Sequence, residues 1–178
     1  MSFNHPKAGP NYVPAYQVSG IPFVTSSVAQ EVQGPHSNGV SVPASISFPY
    51  VTKFVTVRNT GTKGLRVGFS ADGVVAPGER LATVDVDKDA GQFRNYFILP
   101  SSGSVDLEAS AALGETTQTF DVRCKQIYFL SDVPEHVDPA AVGQATNRGS
   151  FTLLAGLTSI QSSQFPTLTG SNGFEGVG

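Results

Sequence analysis

The residues of this 178-residue chain that could do chemistry are three histidines, one cysteine and a run of alternating aspartates. His5, His36 and His136 stand far apart, and none has another histidine beside it. A metal site needs several nitrogen, oxygen or sulfur ligands that converge on one ion. The sequence therefore predicts surface or loop histidines and no metal centre.

The aspartate run, formed by Asp85, Asp87 and Asp89, resembles the opening of a calcium loop, which offers oxygen ligands at alternate positions. The rest of that loop is missing, because Gly91 comes one position late and Tyr96 stands where a bidentate glutamate would complete the site. Alternating acids are also typical of an exposed strand face. We therefore expect a solvated acidic strand and no calcium.

Cys124 is the only thiol of the chain and so the only candidate cysteine nucleophile. It is in phase with Phe120 and Val122, so its side chain should point toward the core and behave as a small hydrophobic group. The chain has no Gly-x-Ser-x-Gly motif, no complete phosphate-binding loop and no identifiable acid and base pair of carboxylates. These observations predict a protein that is not an enzyme and needs no cofactor.

The charged residues are concentrated in the middle of the chain. Residues 1–50 contain only Lys7 and Glu31, and residues 151–178 contain only Glu175. An exposed arm normally needs charge to stay solvated, so two long neutral ends rich in Ser, Thr, Gly, Pro and aromatic residues indicate surfaces that contact other protein. The pattern favours assembly over catalysis.

The overall charge limits the other partners. The formal net charge is -3 and the basic residues are scattered, so we expect no direct contact with nucleic acid. No apolar run approaches the length of a membrane span, so we expect no membrane-spanning segment. With one cysteine and no apolar signal segment, the chain should be made and folded in a reducing compartment.

Prolines and apolar periodicity predict strands. Seven of the 12 prolines fall in the first fifty residues, which favours an extended arm or edge strands there. Leu65, Val67 and Phe69 alternate with polar or small residues, which predicts a half-buried strand. Residues 96–99 and 151–157 are apolar on both faces, which predicts two central strands.

One segment departs from a regular strand. After Cys124 the apolar phase slips to Ile127 and Phe129, which predicts a β-bulge near Lys125 or Gln126.

These segments predict an all-β protein, a single eight-stranded jelly roll (an antiparallel β-sandwich) with extended N- and C-terminal arms. An immunoglobulin sandwich is disfavoured because the chain has no Trp for its core. We expect an N-terminal arm at residues 1–20, the jelly-roll domain at residues 21–165 and a Gly-rich tail at residues 166–178.

Several large apolar side chains of the two ends fall outside any core pattern. They are either anchors for a partner or caps over the ends of the sandwich, and the shortage of charge around them favours anchors. The predicted interface residues are Tyr12, Tyr16, Ile21, Phe23, Phe165, Leu168 and Phe174.

Residues 12–25 (YVPAYQVSGIPFVT) resemble the N-terminal segment of penton, or vertex, capsid proteins of nucleocytoplasmic large DNA viruses. Residues 53–59 (KFVTVRN), 122–128 (VRCKQIY) and 155–160 (AGLTSI) are also similar to that family and follow in the same order. The resemblance implies a single jelly roll that forms a homopentamer at each fivefold vertex of an icosahedral capsid. Its partners would be itself, the major capsid protein and minor capsid proteins. It would be made and assembled in the host cell cytoplasm and reside in the virion.

A binding module is the alternative interpretation. A lectin-like jelly roll, or a head-fibre or adhesin domain, that recognises a glycan would need an exposed aromatic platform with Asp, Asn or calcium around it. Asp72, Asp85, Asp87 and Asp89 are the candidates for such a site.

Overall fold

The computed structural model describes residues 21–27, 32, 40–75, 80–81, 95–101, 116–132, 136–137, 145–146 and 149–168. The predicted N-terminal arm, residues 1–20, lies outside them. The strands are β1 Ile21–Ser26, β2 Val40–Ser41, β3 Ala44–Ser47, β4 Tyr50–Asn59, β5 Leu65–Gly68, β6 Arg80–Leu81, β7 Phe97–Leu99, β8 Thr117–Phe120, β9 Gln126–Ser131, β10 His136–Val137, β11 Ala145–Thr146 and β12 Phe151–Gln161. One 3₁₀ helix, Ser162–Gln164, follows β12.

Most of these strands form two four-stranded antiparallel sheets. The first sheet has the order β1-β12-β4-β8 and the second has the order β3-β9-β5-β7. Two short pairs, β10 with β11 and β2 with β6, complete the described strands. The prediction of an all-β antiparallel sandwich is confirmed.

The eight strands of the two sheets pair in a nested way. In chain order, the first pairs with the eighth (β1 with β12) and the second with the seventh (β3 with β9). The third pairs with the sixth (β4 with β8) and the fourth with the fifth (β5 with β7). This is the pairing of one long antiparallel ribbon whose two halves run side by side. Contacts of β12 with β4 and of β9 with β5 then join the pairs into sheets.

Aromatic pairs show which strands face each other across the core. The rings of Phe129 in β9 and Phe151 in β12 are stacked, with centroids 4.0 Å apart. The rings of Phe97 in β7 and Phe120 in β8 are tilted to each other, with centroids 5.0 Å apart. The end strands β7 and β8 therefore share one side of the sandwich. The other two end strands, β1 and β3, lie on the opposite side.

The long strand β12 illustrates how the sequence builds the core. Its inward residues Phe151, Leu153, Ala155 and Leu157 are buried, whereas Leu154 points outward. It lies between β1 and β4, so the prediction of a central strand at residues 151–157 is confirmed. Truncating a side chain such as Leu153 to Ala should cost about 2–5 kcal/mol of stability through lost burial and a cavity.

The prediction of a half-buried strand at β5 is wrong, because all four of its residues are buried. The alternation of apolar and polar residues predicts a solvated outer face, but this face is also covered. Val74 and Val75, in the turn after β5, pack there with Leu130. Arg66 is accommodated there because its Nε donates to Asp132 at 2.8 Å and its guanidinium lies 4.8 Å from the centre of the Tyr96 ring.

The segment at residues 96–99 is also not the central strand that its apolar residues predict. Within the described residues, β7 ends its sheet and pairs with β5 alone. Phe97 is 55% exposed and Ile98 is 44% exposed. Apolar residues on both faces indicate cover on both faces, but they do not reveal whether the same chain supplies it.

The phase slip after Cys124 marks a change of sheet, so the predicted β-bulge is wrong. The strand β8 ends at Phe120 in the first sheet, and β9 begins at Gln126 in the second. The connecting residues leave the ladder, and the Thr52 hydroxyl donates to the Val122 carbonyl at 2.8 Å. A register shift in the first sheet occurs instead between Gly156 and Leu157 of β12.

Candidate interface at the edges of the sandwich

Four strands end the two sheets in the described part of the chain: β1 and β8 in the first, β3 and β7 in the second. Their sequences are IPFVTS, TQTF, ASIS and FIL, without one charged residue. The charges of the eight sheet strands are Lys53 and Arg58 in β4 and Arg66 in β5, both interior strands. Natural sheet edges usually carry charge, which blocks contact with another chain, so these neutral edges are suited to contact.

One group of exposed apolar side chains lies on and beside β1. Ile21 is 44% exposed, Val24 is 68% exposed, and Leu154 of β12 is 42% exposed. Val24 and Leu154 are register partners in neighbouring strands, so their side chains lie side by side on the outer face. Ile21 pairs with the buried Leu157 and therefore lies on the opposite face of β1. We call Val24 and Leu154 the β1 patch. Val42, 51% exposed, precedes β3 on the same side of the sandwich.

A second group lies on the opposite side, on β7. Phe97 is in phase with the buried Leu99, whereas Ile98 points to the other face of the strand. We call the exposed Phe97 ring the β7 patch. The Phe97 ring contacts Phe120 at 5.0 Å with an interplanar angle of 52°, and Phe120 meets Phe69 edge to face at 6.0 Å. This aromatic support holds the exposed Phe97 ring in place. A rigid exposed aromatic side chain is suited to anchor a partner at low entropic cost.

The predicted interface residues have different environments. Ile21 is exposed at the start of β1, whereas Phe23 packs edge to face on Phe48 at 5.2 Å and against the core. Leu168, in the predicted tail, also packs partly buried against the core. Phe165 is half-buried, and its carbonyl accepts a hydrogen bond from Lys125 Nζ at 3.1 Å. Phe23 and Leu168 thus contact the core of their own chain.

The remaining predicted interface residues, Tyr12, Tyr16 and Phe174, lie outside the described residues. Sequence reasoning did not select Val24, Leu154, Phe97 and Ile98. The signal that could have found them is the run of consecutive apolar residues in short strands, which predicts cover on both faces.

Cys124 is buried, as predicted. Burial raises the pKa of its thiol from the ordinary 9.0 to about 11, and a hydrogen bond with Thr52 opposes part of that rise. The Thr52 hydroxyl lies 3.4 Å from the Cys124 sulfur. A thiol of this kind is protonated at neutral pH and is a poor nucleophile.

The other chemical candidates are only partly within the description. His136 lies in β10, while His5, His36, Asp85, Asp87 and Asp89 fall outside the described ranges. Among the residues that the structure describes, no three His, Cys, Asp or Glu side chains are grouped so that they could hold a metal ion. The described part of the chain also contains no helix with the length and hydrophobicity needed to cross a membrane.

Comparisons of this chain with protein-family models, with curated proteins and with solved structures found no match.

Proposed function

We propose that this protein is a structural capsid subunit, a single jelly roll that forms homopentamers at the fivefold vertices of an icosahedral virus particle. The observation that supports the fold is the nested pairing of the eight sheet strands, first with eighth through fourth with fifth. A ribbon of this connectivity, wrapped into two facing sheets, is typical of a jelly roll and supports that part of the proposal. The resemblance of residues 12–25 and three later segments to vertex proteins of large DNA viruses supports the assignment to a penton.

The neutral edges support assembly as the function. A closed ring of identical subunits uses heterologous contacts, in which one surface of each subunit binds a different surface of the next. The described sandwich has exposed apolar side chains on both of its sides, at the β1 patch and at the β7 patch. Two such surfaces are what a ring requires, and a vertex requires a ring of five.

The terminal segments would connect the ring to its surroundings. Residues 1–20 contain one charge, Lys7, and residues 169–178 contain one, Glu175. We propose that they bind neighbouring major and minor capsid proteins. Ordering a segment costs about 1–2 kcal/mol per residue in backbone entropy, so the contacts of these segments should form fully only in the assembled particle.

Light scattering after size-exclusion chromatography, over a range of concentrations, tests the proposal. A mass of five subunits, with fivefold rings in electron micrographs, would support it. A trimer would contradict it and favour a fibre. A chain that stays monomeric at its highest soluble concentration and is not incorporated at the vertices of capsid particles would also contradict it.

A glycan-binding module is the second candidate, since the charge of one of its four candidate aspartates acts on an aromatic side chain. Burial raises the pKa of Tyr128, and the negative charge of Asp72 raises it further. Removal of residues 1–18 and 167–178 separates the two functions. A glycan-binding domain would keep its ligand after this truncation, whereas a vertex subunit would lose incorporation into capsids.

A further inference from the structure

The outer face of the second sheet carries a connected group of polar side chains on β3 and β9. The Tyr128 hydroxyl donates to Gln126 Oε1 at 3.1 Å, and Gln126 Nε2 donates to Ser47 Oγ at 3.0 Å. The strand register places Ser47 beside Gln126 and Ser45 beside Tyr128, so the four side chains share one face. We call Ser45, Ser47, Gln126 and Tyr128 the Tyr128 face.

We propose that the Tyr128 face binds a neutral saccharide, with the tyrosine ring against one face of a sugar and Ser47 and Gln126 on its hydroxyl groups. This site rests on the second candidate function, glycan binding, and gives that function a location and a ligand class. A capsid subunit can carry such a site as well, so the vertex function does not exclude it.

The polar groups of this face are held in place and keep hydrogen-bonding capacity. The Gln126 amide is held at both ends, because its oxygen accepts from Tyr128 and its nitrogen donates to Ser47. In the described part of the chain, one N–H of Gln126, the Ser47 O–H and the lone pairs of the Tyr128 oxygen are left for a ligand. Neighbouring sugar hydroxyls both donate and accept, so they match this set, and fixed groups lose little freedom on binding.

Tyr128 provides the apolar part of the site. It is half-buried and packs against Val74 and Val75 of the turn after β5, which therefore stands beside the Tyr128 face. The turn fits there because Gly68 is the register partner of Tyr128, and a Cβ on Gly68 would lie 2.6 Å from Val74 Cγ1. On the other side of Tyr128, the small and exposed Ser45 leaves room for a ligand. A ring held in this way can pack against the apolar face of a sugar.

The charge around the face favours a neutral ligand. The strands β3 and β9 contain no charged residue. Lys125, which precedes β9, donates its Nζ to the Phe165 carbonyl at 3.1 Å. Burial and the negative charge of Asp72 both raise the pKa of Tyr128, so its hydroxyl stays protonated and donates to Gln126. A negatively charged sugar would be repelled by Asp72.

A glycan array tests the ligand class. The full chain is applied to immobilised neutral oligosaccharides of hexoses and N-acetylhexosamines, beside the same glycans carrying sialic acid or sulfate. We expect binding to neutral members and about tenfold weaker binding to their charged counterparts. A preference for the charged members would overturn the proposal, as would absence of binding to every neutral member at the highest soluble concentration.

Single substitutions locate the site. Gln126→Ala and Ser47→Ala each remove one hydrogen-bonding group, so each should weaken binding of the best neutral glycan about three- to tenfold. Gln118→Ala, at an exposed glutamine on β8 of the other sheet, is the matched control and should bind like the native chain. Equal affinity in all of these proteins would place the glycan elsewhere and overturn the site.

The role of the Tyr128 ring has its own spectroscopic signature. Protons of a sugar stacked on an aromatic ring shift upfield in the NMR spectrum. We expect this shift with the native chain and with Tyr128→Phe, which keeps the ring, and we expect its loss with Tyr128→Leu. Circular dichroism checks that both variants are folded. An upfield shift that is absent with the native chain, or that persists in the Leu variant, would contradict the stacking.

Light scattering of the same proteins separates this site from the vertex function. A pentamer that binds no neutral glycan overturns the site alone. A trimer whose glycan binding is weakened by Gln126→Ala supports the site and overturns the vertex function. A loss of oligomer mass in Gln126→Ala, without glycan binding by the native chain, would make this face a contact between copies and overturn the saccharide proposal.

Discussion

Thr52 Oγ1 accepts a hydrogen bond from the backbone N–H of Cys124 at 3.0 Å. The backbone N–H of Thr52 donates to the Cys124 carbonyl, also at 3.0 Å. These two contacts hold the connection between β8 and β9 against β4, where the chain passes from one sheet to the other. Together with the Phe48 N–H, which donates to the Lys125 carbonyl at 2.8 Å, Thr52 holds this connection outside the ladders of the two sheets.

Replacing Thr52 by Val keeps the shape of the side chain and removes the acceptor for a buried N–H. We expect a loss of about 1–3 kcal/mol in the free energy of unfolding, the usual cost of an unsatisfied buried donor. Urea unfolding measures it. Thr56→Val, at an exposed hydroxyl pair with Thr119, is the matched control and should change stability by about 0.5 kcal/mol or less. Equal effects at both positions would contradict the assigned role.

The pKa of Cys124 predicts a pH dependence of stability. The folded thiol has a pKa of about 11, against 9.0 for the ordinary group. Below pH 9 the thiol is protonated in both the folded and the unfolded state, so stability is unaffected. Above pH 9 the unfolded state loses the proton first, and this ionisation stabilises the unfolded state. Stability should therefore fall between about pH 9 and 11, by roughly 2–3 kcal/mol from this group.

Urea unfolding of the native chain and of Cys124→Ala across that pH range isolates the contribution of the thiol. The variant should show a shallower decline, because it has no thiol to titrate. Parallel curves would mean that the thiol is not shielded from water in the fold.

The Tyr96 hydroxyl is buried and has no hydrogen-bond partner among the described residues. Tyr96→Phe should therefore leave stability unchanged or raise it by up to about 1 kcal/mol, since it removes an unsatisfied polar group and keeps the ring under Arg66. Tyr96→Leu should lower stability by about 0.5–2 kcal/mol through loss of the cation–π contact. Thermal unfolding distinguishes the Phe variant from the Leu variant. A destabilised Phe variant would contradict the interpretation that the Tyr96 hydroxyl is unsatisfied.

Asn59 ties the turn after β4 to the end of β7. Its Nδ2 donates to the carbonyls of Lys63 at 2.8 Å, Leu99 at 3.1 Å and Pro100 at 2.9 Å. Its Oδ1 accepts from the N–H of Gly61 at 2.9 Å. Asn59→Ala should cost about 2–4 kcal/mol, because it leaves several buried groups unsatisfied.

Asn59→Asp should be at least as costly as Asn59→Ala, since a carboxylate cannot donate to the three carbonyls. The exposed Gln118→Ala is the control and should be nearly neutral. Chemical denaturation of the three variants measures their losses in stability. An Asn59→Asp variant that is more stable than Asn59→Ala would contradict the expected order.

The strands of this fold could be located from the sequence where local pattern and burial agree. The strand β12 shows this, since its apolar run matches its central position. The pattern gave a wrong prediction where a distant segment buries a strand face. Arg66 indicates that the outer face of β5 is solvated, yet the turn that contains Val74 packs over this face. The pattern failed again at Cys124, because a change of sheet and a bulge shift the apolar phase in the same way.

The candidate interface was harder to predict than the fold. Ile21 was selected from the neutral N-terminal region and is exposed. Phe97 was assigned to a central strand because apolar side chains buried in a core and those exposed at an edge have the same sequence pattern. Only the pairing order distinguishes them, and that order depends on contacts between distant segments.

The nested pairing also has a consequence for biosynthesis. Ser27, just after β1, donates to the Phe151 carbonyl from 124 positions away, so the first strand emerges from the ribosome long before its partner. Contacts between such distant segments fold slowly, and the first sheet cannot close until β12 has been translated. The surface around Val24 and Leu154 is therefore complete only in a finished chain, so truncated products cannot display it.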